Sequence, residues 1–133
     1  MAALTADRDT DRREGDFYEY DVVASDIIYK GSIVLLDASG DAEPGSSAAS
    51  LIAGGRAEET VDNSSGSAGD KTVRVRKGVF KWANSGTNTI DATDIGDPAY
   101  VEDDQTVGNL STSQSSIGTI RAVDSDGVWV EVD

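Results

Sequence analysis

The sequence predicts an all-β domain, and three observations lead there. Apolar residues recur at every second position in short runs, and no helical heptad appears anywhere in the 133 residues. Fourteen Gly, with abundant Ser, Thr, Asp and Asn, supply frequent turns. Hydrophobic content of 38% and aromatic content of 6% suffice for one lean core, so a single domain over residues 17–133 is expected.

Residues 1–16 are polar and crowded with charge: Asp7, Arg8, Asp9, Asp11, Arg12, Arg13, Glu14 and Asp16. Such a segment cannot bury enough apolar surface to offset its ordering entropy. An extended arm that orders only against a partner fits it, and so does a frayed terminus. The first strand is expected from Phe17, with Tyr18, Tyr20, Val22 and Ala24 on one face and Glu19 and Asp21 on the other. Ile27, Ile28 and Tyr29 carry the apolar signal into a turn at Lys30-Gly31. Ile33-Val-Leu-Leu36 is apolar on both faces and reads as a central strand covered on two sides.

Asp37-Ala-Ser-Gly40 reads as a turn, and residues 40–50, with Pro44, as a loop. Residues 56–61 and 72–82 are expected to pair as an antiparallel hairpin across the polar loop 62–70. That pairing sets Glu58 and Glu59 opposite Arg74 and Arg76. Residues 84–89 are expected to be loop. A single helical turn is expected within Thr93–Pro98, ended by Gly96 and barred from continuing by Pro98. A short strand at Ala99–Val101, an acidic turn at Glu102-Asp-Asp-Gln105 and a mobile Ser/Thr-rich stretch from Gly108 to Ser116 follow. The chain closes in a hairpin, Ile117–Val123 against Val128–Val132. In its second strand Val128, Val130 and Val132 face one way, Trp129 and Glu131 the other.

The segment Lys71–Trp82 organises the chain. Val73 and Val75 alternate with Thr72, Arg74 and Arg76, Gly78 interrupts, and Phe80 and Trp82 resume the apolar positions. One long strand kinked at Gly78 is expected. It carries five of the eleven cationic residues (Lys71, Arg74, Arg76, Lys77 and Lys81) on a body of net charge −14. The stripe is either a solvated face that neutralises the protein's own carboxylates or a docking surface for an acidic neighbour. Both tryptophans are expected in the core; either one, if exposed beside the stripe, becomes an interface anchor.

Composition narrows function. Twenty-five acidic residues against eleven basic argue against a nucleic-acid binder. Without histidine there is no Ser-His-Asp triad or imidazole metal site, and without cysteine no disulfide or thiolate chemistry. Ala53-Gly-Gly-Arg56 has neither the spacing nor the Lys of a phosphate loop. Paired carboxylates such as Glu58-Glu59 and Glu102-Asp103-Asp104 are no more than this charge content produces. An enzyme is not expected, nor a cofactor. Asp124-Ser-Asp126-Gly127 resembles the opening of a calcium loop but lacks the distal bidentate Glu, and a hairpin turn explains it with less. The longest strongly apolar run, Ile33–Leu36, is far too short for a membrane span, and the first residues show no secretory leader.

Several stretches, in order, resemble the capsid decoration (cement) proteins of tailed bacteriophages. These are Tyr29-Lys-Gly-Ser-Ile-Val-Leu-Leu-Asp-Ala-Ser-Gly40, Gly55-Arg-Ala-Glu-Glu-Thr-Val-Asp-Asn-Ser64, Val75-Arg-Lys-Gly-Val-Phe80 and Asp94-Ile-Gly-Asp-Pro-Ala-Tyr-Val-Glu-Asp-Asp-Gln-Thr-Val107. The resemblance covers most of residues 15–133 and brings no catalytic residues. It implies a small β-barrel or β-sandwich of the β-tulip type, bound as trimers at three-fold and quasi-three-fold positions on the capsid exterior. The partners it implies are the major capsid protein and further copies of this chain, and the location is the virion surface after synthesis in the host cytoplasm. An amino-terminal arm would add to a capsid sheet, with Leu4, Thr5, Arg8, Arg12 and Arg13 as contacts. The stripe residues Arg74, Arg76, Lys77 and Lys81, with Trp82, would face the capsid or a neighbouring subunit. A tail or baseplate structural domain and a sugar-binding β-sandwich module are the alternatives; the latter needs exposed aromatics lining a groove.

Overall fold

The computed structural model describes residues 2–11 and 15–133. Its described residues are all-β apart from one 3₁₀ turn, Ala92–Asp94. The strands are β1 (Phe17–Asp21), β2 (Asp26–Ile28), β3 (Ile33–Leu36), β4 (Ala42–Pro44), β5 (Ile52–Ala57), β6 (Val61–Asn63), β7 (Thr72–Arg76), β8 (Gly78–Asn84), β9 (Pro98–Val101), β10 (Thr106–Gly108), β11 (Ser116–Asp124) and β12 (Gly127–Val132). They form a five-stranded sheet in the order β1-β7-β5-β3-β4, a closed barrel in the order β10-β8-β12-β11-β9, and a two-stranded ribbon, β2-β6.

Alternation along β3 joins the two larger units. All four of its residues are buried. Ile33 and Leu35 enter the barrel core beside Trp82, Val101, Ile120 and Val130. Val34 and Leu36 enter a second core with Val22, Ile28, Val73 and Val75. A strand facing two cores has no polar position, which explains the unbroken apolar run. Opposite β3, the register slips between Val34 and Leu35, which pair with Gly55 and Ala53. The extra residue makes a β-bulge, and Gly55 adopts φ +143 there. A Cβ on Gly55 would stand 2.7 Å from the Arg76 carbonyl oxygen, so only glycine lets β5 approach β7.

The kinked strand expected over residues 71–82 is two strands in two different sheets. β7 pairs with β1 and β5, while β8 pairs with β12 and, in parallel, with β10. The chain turns the corner at Gly78, whose φ of +155 suits glycine. Val22, just after β1, bridges Ala42 of β4, so the two ends of the five-stranded sheet meet around the second core.

Four expectations change. Residues 40–50 contain β4, because Leu36 continues past the Asp37 turn into pairing with Ala42; Asp37 Oδ1 accepts from the amides of Ser39 and Asp41 and closes that turn. The hairpin expected between 56–61 and 72–82 reduces to Arg56↔Arg76 and Ala57↔Val75, with a further bond from Glu58 N to Arg74 O. Residues 61–63 pair with β2 instead. Asn63 holds them there: its Nδ2 donates to the carbonyls of Val23 (2.9 Å) and Ser67 (3.0 Å). The helical turn begins one residue earlier than expected, at Ala92, where Asp91 and Asp94 form a capping box. Finally, the Ser/Thr-rich stretch is pinned at its end. Gln114 and Ser115 are buried, and the Ser115 hydroxyl donates to Ala48 O while accepting from Leu51 N.

Because β3 serves both cores, Leu35→Ala is expected to cost about 2–5 kcal/mol. Loss of ellipticity and exposure of Trp82 should remain coincident in a urea titration; separated transitions would show that the cores unfold independently. A second expectation concerns β4. Burial, then the carboxylates of Asp37 and Asp26, push the Glu43 pKa up. The folded state therefore holds this proton more tightly than the unfolded chain, and ionised Glu43 lowers stability at neutral pH. Glu43→Gln should raise the thermal midpoint at pH 7 by the equivalent of at most about 0.5 kcal/mol. The gain should vanish as pH falls through the folded-state pKa.

Candidate interaction surface

The cationic stripe divides at the Gly78 corner. On the sheet side, Phe17 of β1 lies opposite Arg76 of β7, and Glu19 opposite Arg74. Period-two geometry puts all four side chains on one face. The guanidinium carbons of Arg74 and Arg76 lie 4.2 and 5.0 Å from the centroid of the Phe17 ring. Planar guanidinium groups stack on aromatic faces, at about 0.5–1 kcal/mol each where exposed. Among the described residues neither arginine makes an ion pair.

Nearby carboxylates are engaged elsewhere. Glu19 accepts the Thr72 hydroxyl at 2.6 Å, and Glu59 accepts the backbone N–H of Arg74 at 3.3 Å. Glu58, expected across from the stripe, pairs with Arg56 at 2.7 Å. Arg56 stands two residues before Glu58 on the same side of the chain, nearer than any cross-strand partner. Its guanidinium lies 4.3 Å from the Phe80 ring centroid. Among the described residues Arg74 and Arg76 thus make no ion pair, and both guanidinium groups lie over one aromatic ring.

The other stripe residues behave differently. Lys77 is half-buried at the corner; its Nζ donates to Ala53 O at 3.3 Å and stands 5.8 Å from the Tyr18 ring centroid. Burial pulls its pKa down, partly opposed by Asp133. Lys81, on the barrel, is neutralised within the chain by Asp126 at 2.9 Å and Asp124 at 4.0 Å. Trp82 is buried in the barrel core at 6% exposure, and its indole N–H donates to Gly31 O at 3.1 Å. The interface contact expected of Trp82 is corrected accordingly: the inward alternation of β8 commits its ring to the core.

Trp129 is the exposed tryptophan, at 37%. Lys81 Nζ stands 5.7 Å from its ring centroid, and its indole N–H donates to Asp124 Oδ2 at 2.8 Å. The expectation that both tryptophans lie in the core fails for Trp129, because Val128, Val130 and Val132 take the inward positions of β12 and turn it outward. Phe17 was legible as a member of the Glu19 and Asp21 face. In the amino-terminal segment, Leu4, Thr5 and Arg8 are exposed, Leu4 at 71%. Residues 2–11 form no strand. Arg12 and Arg13 lie outside the described residues. Asp124–Gly127 form the hairpin turn expected of them, and the carboxylates of Asp124 and Asp126 are taken by Trp129 and Lys81.

Compared with protein-family models, curated proteins and solved structures, the chain matches none of them.

The hydrogen bond from Lys81 is the chief reason the Asp126 pKa lies below its ordinary 3.8. Asp126 therefore contributes stability above the unfolded-state pKa and loses it as pH falls through the folded one. An NMR titration of its side-chain carboxyl should give a midpoint below 3.8, and Lys81→Met should return that midpoint toward 3.8. A midpoint indifferent to the substitution would mean that Lys81 is free to meet a partner.

Proposed function

We propose that this protein is a capsid decoration protein. In this reading it binds the exterior of a phage head as trimers at three-fold and quasi-three-fold positions and stabilises the shell by clamping neighbouring major capsid subunits. The observation that carries the reading is the Arg74–Phe17–Arg76 cluster, un-neutralised among the described residues, at the root of an exposed amino-terminal segment. A partner's carboxylates would find two oriented guanidinium groups there, and the adjoining segment would add main-chain contacts. The ordered resemblance of residues 29–40, 55–64, 75–80 and 94–107 to decoration proteins supports the same reading. An acidic exterior suits a shell surface crowded with copies, where repeated weak contacts sum through avidity.

Quantitative mass spectrometry of purified virions should find about one copy per major capsid protein. A few copies per particle would instead indicate a tail or vertex component, and complete absence would sink the virion reading. Arg74→Glu with Arg76→Glu should preserve the fold, since both side chains are exposed, and weaken attachment to undecorated shells by at least about tenfold, or 1.4 kcal/mol. Wild-type attachment should also weaken as salt rises. Undiminished attachment of the double variant would remove the arginine cluster from the interface.

A further inference from the structure

The outer edge of β1 is open, and the arginine cluster stands beside it. The ladder from β1 to β7 runs through even-numbered residues: Lys77 N donates to Asp16 O at 2.7 Å, and Val22 N to Lys71 O at 2.9 Å. Bonded and non-bonded pairs alternate in an antiparallel ladder, so Phe17 and Glu19 turn their N–H and C=O groups away from β7. β1 ends the sheet order, and β4 meets its edge at the Val22–Val23 end, where Val23 N donates to Ala42 O at 3.0 Å. Among the described residues nothing pairs with the main chain of Phe17 and Glu19 on that side.

An open strand edge is a template for a further strand, and the side chains beside it select which. Arg74 and Arg76, one strand inward, have their guanidinium carbons 4.2 and 5.0 Å from the Phe17 ring centroid, so both side chains reach across β1 toward the open edge. Glu19, on the same face, is turned back to the Thr72 hydroxyl on β7. Residues two apart on a strand are spaced by about 6.6–6.8 Å. A strand laid on this edge, about 4.8 Å further out, would meet the two guanidinium groups with carboxylates at alternate positions, which recur at the same spacing.

This chain contains such a segment. Asp7, Asp9 and Asp11 are the one place in the sequence where three successive alternate positions carry carboxylates. Extended, the segment shows these three on one face and Arg8 and Thr10 on the other. Residues 7–11 are exposed, form no strand and make no backbone hydrogen bond to β1. The chain's own segment thus leaves its own edge open, and a second copy can supply the same residues.

We infer that residues 7–11 of one copy add as a strand to the outer edge of β1 in another, main chain on Phe17 and Glu19, carboxylates on Arg74 and Arg76. Each copy gives an arm and receives one, a heterologous contact that closes as a ring around a symmetry axis. The inference rests on the reading of the arginine cluster as an interface and names what fills it; it needs no shell.

The chain lacks cysteine, so Thr10→Cys accepts a single nitroxide label. Chain carrying that label, at natural isotope abundance, is mixed with ¹⁵N-labelled wild-type chain at about 0.15 M salt, where distant body charges are screened. The amides of residues 17–19 and the Nε–H groups of Arg74 and Arg76 in the ¹⁵N-labelled copy should broaden, more so as concentration rises, and sharpen again when the nitroxide is reduced. Asp7→Asn with Asp9→Asn and Asp11→Asn in the spin-labelled copy, or Arg74→Glu with Arg76→Glu in the other, should weaken the association by about tenfold or more. An arm carrying Asp7→Lys, Asp9→Lys and Asp11→Lys should restore it on the Arg74→Glu, Arg76→Glu body. The inference is overturned by no broadening at about 1 mM chain, by broadening that all these variants leave unchanged, or by broadening seen only within one doubly labelled chain and indifferent to dilution. Shell attachment is a separate readout: association without attachment would sink the shell reading alone, and arginine-dependent attachment without association would sink this inference alone.

Discussion

The structure depends on one short strand being buried on both faces. Four residues of β3 supply Ile33 and Leu35 to the barrel and Val34 and Leu36 to the curled sheet, so neither core is complete alone. The constraint spreads outward. β5 must bulge to stay paired with β3, and glycine at position 55 lets the bulged strand lie close to β7. β7 must then leave its sheet at Gly78 so that β8 can close the barrel. A lean chain gains by this sharing: one strand covers two apolar layers that would otherwise each need a covering of their own.

The same corner sorts the charges. Before Gly78 the cations stand on a sheet face where Phe17 supplies an aromatic platform and the nearby carboxylates are occupied. After it, Lys81 falls beside the Asp124–Asp126 turn and is neutralised there. The residue types suit the two outcomes. Guanidinium groups are weakly hydrated and stack in a fixed plane, ready to meet carboxylates pairwise, whereas an ammonium is a compact, strongly hydrated charge at the end of a flexible stem. Lys81 neutralises the protein's own surface; Arg74 and Arg76 make no ion pair among the described residues.

Aromatic residues show a similar division of labour. Trp82 faces inward, and its indole N–H ties the 29–32 turn to β8. Trp129, directed outward by the same alternation, is held by Lys81 and Asp124. Tyr29 is exposed at 57%, more than Trp129 or Phe17.

The sequence by itself determined the class, most strand positions and the alternation of faces in the first strand, Ile33–Leu36, the cationic stripe and the last strand. Ile33–Leu36 announced a doubly covered strand, Val128-Trp-Val-Glu-Val132 its inward and outward sides, and Gly78 a break, because alternation and glycine placement are local properties of the chain. Which strands became neighbours was decided only in the tertiary structure. Residues 61–63 pair with β2 through the long-range grip of Asn63, Ser115 pins a stretch that composition alone marked as loose, and Glu58 turns to Arg56. The bonds from Trp82 to Gly31 and from Ile33 to Asp104 are likewise tertiary, joining residues distant in sequence. Period and turn chemistry act over a few residues, whereas pairing, charge neutralisation and cavities depend on which distant surfaces the cores draw together.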